Sequence, residues 1–247
     1  MRIKKEKWDD VIKSLEGNYH ASYILLLKEN LRLWDEHQQS IRNIEQQIAE
    51  FLDKMNHNRD MEVTTPGKPA RRHSPEIKDL HKTMVQLYDG VSLTTITGIN
   101  DSTMLRLAGE IGVDMNRFPT VKHFVSWLGL SPKNKQSGKM KKRIKSTDNK
   151  AGLILRQSAQ SLMNSKDSAI GVFIRRLNGR KGAPVAIKAG ARKLAVAIYN
   201  ALTKGMDYVE QGAKLYAEQL EQREMRFLKK LAVKHNFYLV DFNGVQA

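Results

Sequence analysis

The 247-residue chain has no cysteine, only six prolines, and aromatic residues at 7% of its length. Without cysteine there are no disulfides and no thiolate metal sites, a usage that agrees with a reducing, cytoplasmic setting. No apolar run approaches the roughly 18 residues of a membrane span, and the start MRIKKEKWDD lacks the apolar core of a signal peptide. Acidic residues are scarce in the second half: between Pro119 and Asn200 only Asp148 and Asp167 occur. Phosphoryl transfer on Mg²⁺ needs several carboxylates converging on the ion, so that region does not build such a site from its own residues. The histidines at 20, 37, 57, 73, 81, 123 and 235 are scattered, with no pair at helical ligand spacing, which argues against a zinc site.

What the chain does have is positive charge. Lys and Arg number 42 against 26 Asp and Glu, a net +16 with a pI near 9.9, and such a field suits a polyanionic partner such as nucleic acid. A hydrophobic fraction of 40% is enough for a core, while 28% charged residues and a mean hydropathy of −0.51 imply long exposed helices.

Hydrophobic spacing predicts a mainly α fold in four parts: an N-terminal helical coiled coil over 1–56, a linker over 57–74, a compact domain over 75–205, and an amphipathic helix and tail over 206–247. From about Tyr19 to Met55 there is no Gly or Pro, and with Ile24 at position a the a/d series is Ile24, Leu27, Leu31, Trp34, Gln38, Ile41, Glu45, Ile48, Leu52, Met55. Eight of these ten are apolar. At 1.5 Å per residue the helix reaches roughly 55 Å and serves to space or pair things, or else packs on its own domain. The polar stretch with Pro66, Gly67 and Pro69 reads as a flexible linker, and Ser74-Pro75 as the start of the next helix.

Two basic blocks stand out. Ser131 to Lys150 has eight Lys/Arg and one acid, Asp148, and reads as a basic loop until Asp148 or Asn149 caps a helix through Leu155, Arg156 and Leu162. Lys166 to Lys193 again has eight basic residues against one acid, Asp167, on helices of about 169–177 and 184–203 joined by Asn178-Gly179-Arg180-Lys181-Gly182. Before them, Thr97-Gly98-Ile99-Asn100 resembles the turn of a helix-hairpin-helix, whose backbone N–H groups hold a DNA phosphate, but any corner between two helices wants the same Gly and Asn. In the first block Ser137 precedes Gly138 among Lys133, Lys135, Lys139, Lys141, Lys142, Arg143 and Lys145. A hydroxyl there can attack a phosphodiester while the cations offset developing charge, or it is simply a loop serine.

The order Gly98-Ile99, Glu110-Ile111-Gly112, Arg117-Phe118, Gly129-Leu130-Ser131-Pro132, Gln136-Ser137-Gly138, Ile144, Asn149 and Arg156 resembles the C-terminal transposase domain of the insertion sequence 110 family, which includes the 116, 902 and 1111 groups. The resemblance covers about 93–205, and the preceding coiled coil is similar to that family's linker. It implies a transposase (a DNA recombinase) acting on transposon-end and target DNA. The family pairs an N-terminal RuvC-like domain, carrying Mg²⁺-binding acids, with a C-terminal domain carrying a serine nucleophile; some members are guided by RNA and work as oligomers.

Carried over by position, Ser137 is the nucleophile, while Asn149 and Arg156 become a helix cap and a phosphate-facing cation. The nucleic-acid-binding set is Gly98, Asn100, Lys133, Lys135, Gly138, Lys139, Lys141, Lys142, Arg143, Lys145, Asn149, Arg156, Arg175, Arg176, Arg180 and Lys181. Gln136, Asn100 and Asp148 depart from the family's SSG, GIG and Gly-Asn words, and Asp148 brings a negative charge near a phosphate site. Only about twenty residues precede the coiled coil. The expectation is therefore a chain that has no cofactor site of its own, binds DNA, possesses the serine half of an active site and does not complete recombination alone. The competing expectations are a non-catalytic DNA- or RNA-binding module and a coiled-coil assembly protein whose basic half is merely solvated.

Overall fold

A computed structural model describes residues 8–15, 17, 20–56, 61–69, 74–132, 134–137, 140–143, 149–165, 168–237 and 239. The chain divides into two compact units, residues up to 51 with 76–78, and residues 52–75 with those from 79 onward.

The first unit holds α1 (Trp8–Leu15) and most of α2 (Ala21–Asn56). No helix breaker interrupts α2, and polar pairs one turn apart support its outer face: Arg32 donates to Glu29 and Glu36, Gln39 to Asn43, and Gln46 to Glu50. The Arg32 guanidinium holds the Glu29 carboxyl below the usual carboxylate range. The expected helix start at Ser74-Pro75 is corrected. The Glu76 backbone N–H donates to the Glu45 carboxylate across 3.2 Å, and helix α3 (Leu80–Leu87) begins only after Asp79, whose φ of 52° is left-handed.

In the second unit the segment expected as a flexible linker is tied down over 61–69. Gln86 donates to the Met61 carbonyl, His81 Nε2 lies 2.9 Å from the Thr65 carbonyl, and Lys68 Nζ donates to the Ile99 carbonyl at 2.8 Å. After α3 comes a 3-10 turn at Leu93–Thr95, then α4 (Asp101–Ile111). The cap of α4 is Asn100, its side chain accepting from the Thr103 N–H at 2.9 Å and from the Thr103 hydroxyl. Helix α5 (Val121–Trp127) is capped by Thr120.

The stretch expected as a loop contains strands β1 (Asn134–Ser137) and β2 (Met140–Arg143), paired antiparallel. Then follow α6 (Lys150–Leu162), α7 (Ala169–Lys181), α8 (Ala183–Lys204) and α9 (Met206–Lys234). Helix α7 runs through Asn178-Gly179, where a break was expected, and stops at Gly182, whose φ of 83° suits glycine and which also starts α8.

The core centres on α8, which packs against α5, α6, α7 and α9. Its buried face is mostly small: Ala186, Gly190, Ala191, Leu194, Ala195, Ile198 and Ala201. Small residues let α7 approach so closely that a Cβ at Gly190 would lie 2.4 Å from Ile174 Cδ1. Phe124, Met104, Leu107, Leu155 and Ile174 fill the remaining interior with essentially no exposure, each contributing about 1.5–3 kcal/mol by leaving water. Among the described residues no helix is long and apolar enough to cross a membrane.

Candidate nucleic-acid interface

The first basic block is held at its base. Leu128 and Leu130 are buried where the chain leaves α5, and the chain returns at Asn149, the N-cap of α6. The Asn149 side chain joins both ends, its Oδ1 accepting from the Gly152 N–H at 3.3 Å and its Nδ2 donating to the Trp127 carbonyl at 3.3 Å. Gly152 is required by the same contact. A Cβ there would sit 2.1 Å from the Leu128 carbonyl oxygen, a backbone atom that has no rotamer by which to move away.

Between these anchors the hairpin sets Asn134 opposite Arg143, Lys135 opposite Lys142, Gln136 opposite Lys141 and Ser137 opposite Met140. Ser137 is thus the last residue of β1, at the end of the ladder next to Gly138. The two strands contain Lys135, Lys141, Lys142 and Arg143 and no acid. Of the four register pairs, one, Lys135 with Lys142, sets a cation opposite a cation. Lys133, Gly138, Lys139, Lys145 and Asp148 lie outside the described residues.

The second block is distributed differently. Arg175, although exposed, donates to the Met163 carbonyl at 3.2 Å and to the Ser165 carbonyl, satisfying backbone groups just beyond α6. Arg176 sits 3.8 Å from Glu224 of α9. Lys193 stacks over the Phe173 ring at 4.7 Å, and burial pushes its ammonium below the usual lysine range. Arg180 and Lys181, in the last turn of α7, are exposed. Arg156 lies half-buried on α6, two turns after Asn149.

The Thr97–Asn100 turn is packed as well. Gly98 has φ 96°, and a Cβ on it would come 2.9 Å from Leu162 Cδ1, while Ile99 is buried. Asn100 is committed to its cap.

Sequence reading passed over two clusters. His81 Nδ1 donates to the Asp101 carboxylate at 2.7 Å while Nε2 faces Thr65, which fastens the 61–69 segment to α3 and α4. Arg117 donates to the Ile111 carbonyl at 3.2 Å and covers the Phe118 and Trp127 rings, and the Tyr199 hydroxyl donates to the Phe118 carbonyl. The Arg117-Phe118 word was visible in the sequence, but its partners are remote in the chain. Among the described residues no three His, Asp or Glu side chains converge to hold a cation.

No curated protein and no solved structure matches the chain. A family model does match, over residues 91–172, about a third of the length, and its description is Transposase IS116/IS110/IS902 family. The matched stretch runs from before the Thr97–Asn100 turn, through the basic hairpin and α6, into the first turn of α7. Residues 91–172 are thus similar to transposases of the IS116/IS110/IS902 family.

Proposed function

We propose that this chain is the DNA-binding, serine-bearing portion of a transposase, and that the hairpin of β1 and β2 is where it meets DNA. The observation that carries the reading is the family match over 91–172, which encloses a like-charged hairpin anchored at Asn149 and Gly152. A phosphate backbone entering beside Lys135, Lys141, Lys142 and Arg143 is neutralised by them and releases its own counterions, so affinity falls steeply with salt.

In this reading the Ser137 hydroxyl oxygen attacks a phosphorus of the DNA backbone. A phosphoserine ester forms, the bond to one deoxyribose oxygen breaks, the hydroxyl proton passes to solvent or a base, and the departing oxygen is protonated. The lysines and arginine of the block offset the charge that grows on the non-bridging oxygens. The glycine that follows Ser137 in the sequence has no side chain to keep a phosphate from the backbone. Complete recombination in this reading draws its Mg²⁺-binding acids from a RuvC-like domain, and the chain by itself binds DNA and forms at most the serine adduct. Self-association through α2, and a guide RNA as a further polyanion, belong to the same reading.

The test is trapping on nicked or phosphorothiolate DNA. Wild-type chain should give a covalent adduct that Ser137→Ala abolishes while DNA binding persists. Absence of any adduct with wild type would remove the catalytic claim and leave a non-catalytic DNA-binding module.

A further inference from the structure

The heptad stripe of α2 is not uniform in the folded chain. At its C-terminal end Leu52 is buried, Ile48 is half-buried, and Glu45, which interrupts the apolar series, accepts the Glu76 N–H. The N-terminal portion is open: Leu27 is 69% exposed, Leu31 58%, Trp34 57% and Ile41 47%. The back of the helix carries polar pairs one turn apart. Counting Ile24 as a, the pairs Arg32–Glu29, Gln39–Asn43 and Gln46–Glu50 all join positions b and f, opposite the seam. Leu25, Leu26 and Leu33 are also exposed, at positions b and c outside the seam, and Tyr23 and Ile44 are exposed at position g, on its flank.

We infer that the open seam from Ile24 to Ile41 pairs with the same seam of a second copy running in the opposite direction, about a two-fold axis between residues 32 and 33. This deepens the reading of α2 as a coiled-coil segment and rests on it. Two features select the arrangement. The open stretch is centred there, so that Ile24 meets the partner's Ile41, Leu27 the partner's Gln38, and Leu31 the partner's Trp34. A full-length pairing would instead require Leu52 and Glu45, which the chain already uses.

Charge selects the direction. In the antiparallel pair, positions e face e, and Lys28 lies beside the partner's Asp35, twice by symmetry; both are exposed. A parallel, in-register pair sets g against e, and so places Asn30 beside the partner's Asp35 and His37 beside the partner's Arg42, with no opposite charges. It also stacks Trp34 on Trp34 and Gln38 on Gln38. Such pairs choose orientation more than they add strength.

The absence of cysteine makes the test clean. In the antiparallel pair, Leu27 and its symmetry mate are roughly 16 Å apart along the axis, beyond the ~7 Å Cα separation a disulfide tolerates. Full-length Leu27→Cys and Gln38→Cys single variants should therefore stay uncrosslinked on oxidation, whereas the double variant should become a covalent dimer. Lys28→Glu should weaken self-association several-fold by sedimentation equilibrium, and adding Asp35→Lys should restore it, with helicity by circular dichroism confirming that each variant folds. Crosslinking of either single variant would overturn the orientation. Dimers in which the double variant does not crosslink would overturn the register. A wild-type chain that remains monomeric would overturn the coiled-coil reading itself.

Discussion

The two basic blocks carry the same net charge, +7 each from eight cations and one acid, yet the fold uses them differently. In the second block, Arg175 closes backbone carbonyls beyond α6, Arg176 pairs with Glu224, and Lys193 covers Phe173. In the first, four described cations fall on a two-stranded ladder with no acid in either strand, Lys135 opposite Lys142, Lys141 opposite Gln136 and Arg143 opposite Asn134. Equal charge therefore does not mean equal use: the helical block is partly spent on the scaffold, and the hairpin block is carried on strands that contain no acid.

Substitutions at the scaffold test that contrast. Gly152→Ala places a methyl group against the Leu128 carbonyl and should destabilise the domain by about 3 kcal/mol, measured by chemical unfolding, with the hairpin's DNA affinity falling as its base opens. Arg175→Ala should cost about 1–2 kcal/mol through two lost hydrogen bonds to backbone carbonyls, while changing DNA affinity less than removal of a hairpin lysine does. Were Arg175→Ala to leave stability untouched and cripple DNA binding, the division between the blocks would fail.

Smaller effects sharpen it. Gly179 lies inside α7 with no atom near its would-be Cβ, so Gly179→Ala should stabilise the domain by about 0.5–1 kcal/mol, read as a raised Tm. Arg176→Ala breaks an exposed pair and should change stability by less than about 0.5 kcal/mol.

The fold class was legible because α4, α6 and α8 bury regular apolar positions, and the Asn149 cap was legible because Asn precedes an apolar periodic run. What escaped was set by distant partners. The start of α3 was misplaced because Glu76 gives its N–H to Glu45, 31 residues earlier, and the 61–69 segment looked free because its anchors are on His81, Gln86 and Ile99. The hairpin was read as a loop because Asn134–Ser137 and Met140–Arg143 lack the β-branched and aromatic residues by which strands are recognised. Of the site, residue types and order were visible; the bond from Asn149 to the Trp127 carbonyl that fixes the hairpin's base was not.

The most direct measurement is the salt dependence of DNA binding in two neutralised chains. In one, Lys135, Lys141, Lys142 and Arg143 are changed to alanine, and in the other Arg175, Arg176, Arg180 and Lys181 are changed. The account predicts that the hairpin variant loses roughly a hundredfold in affinity at ~0.15 M salt and that its slope of log K against log salt flattens by about three to four, with a clearly smaller change in the helical variant. Equal losses in both, or a loss confined to the helical variant, would contradict it.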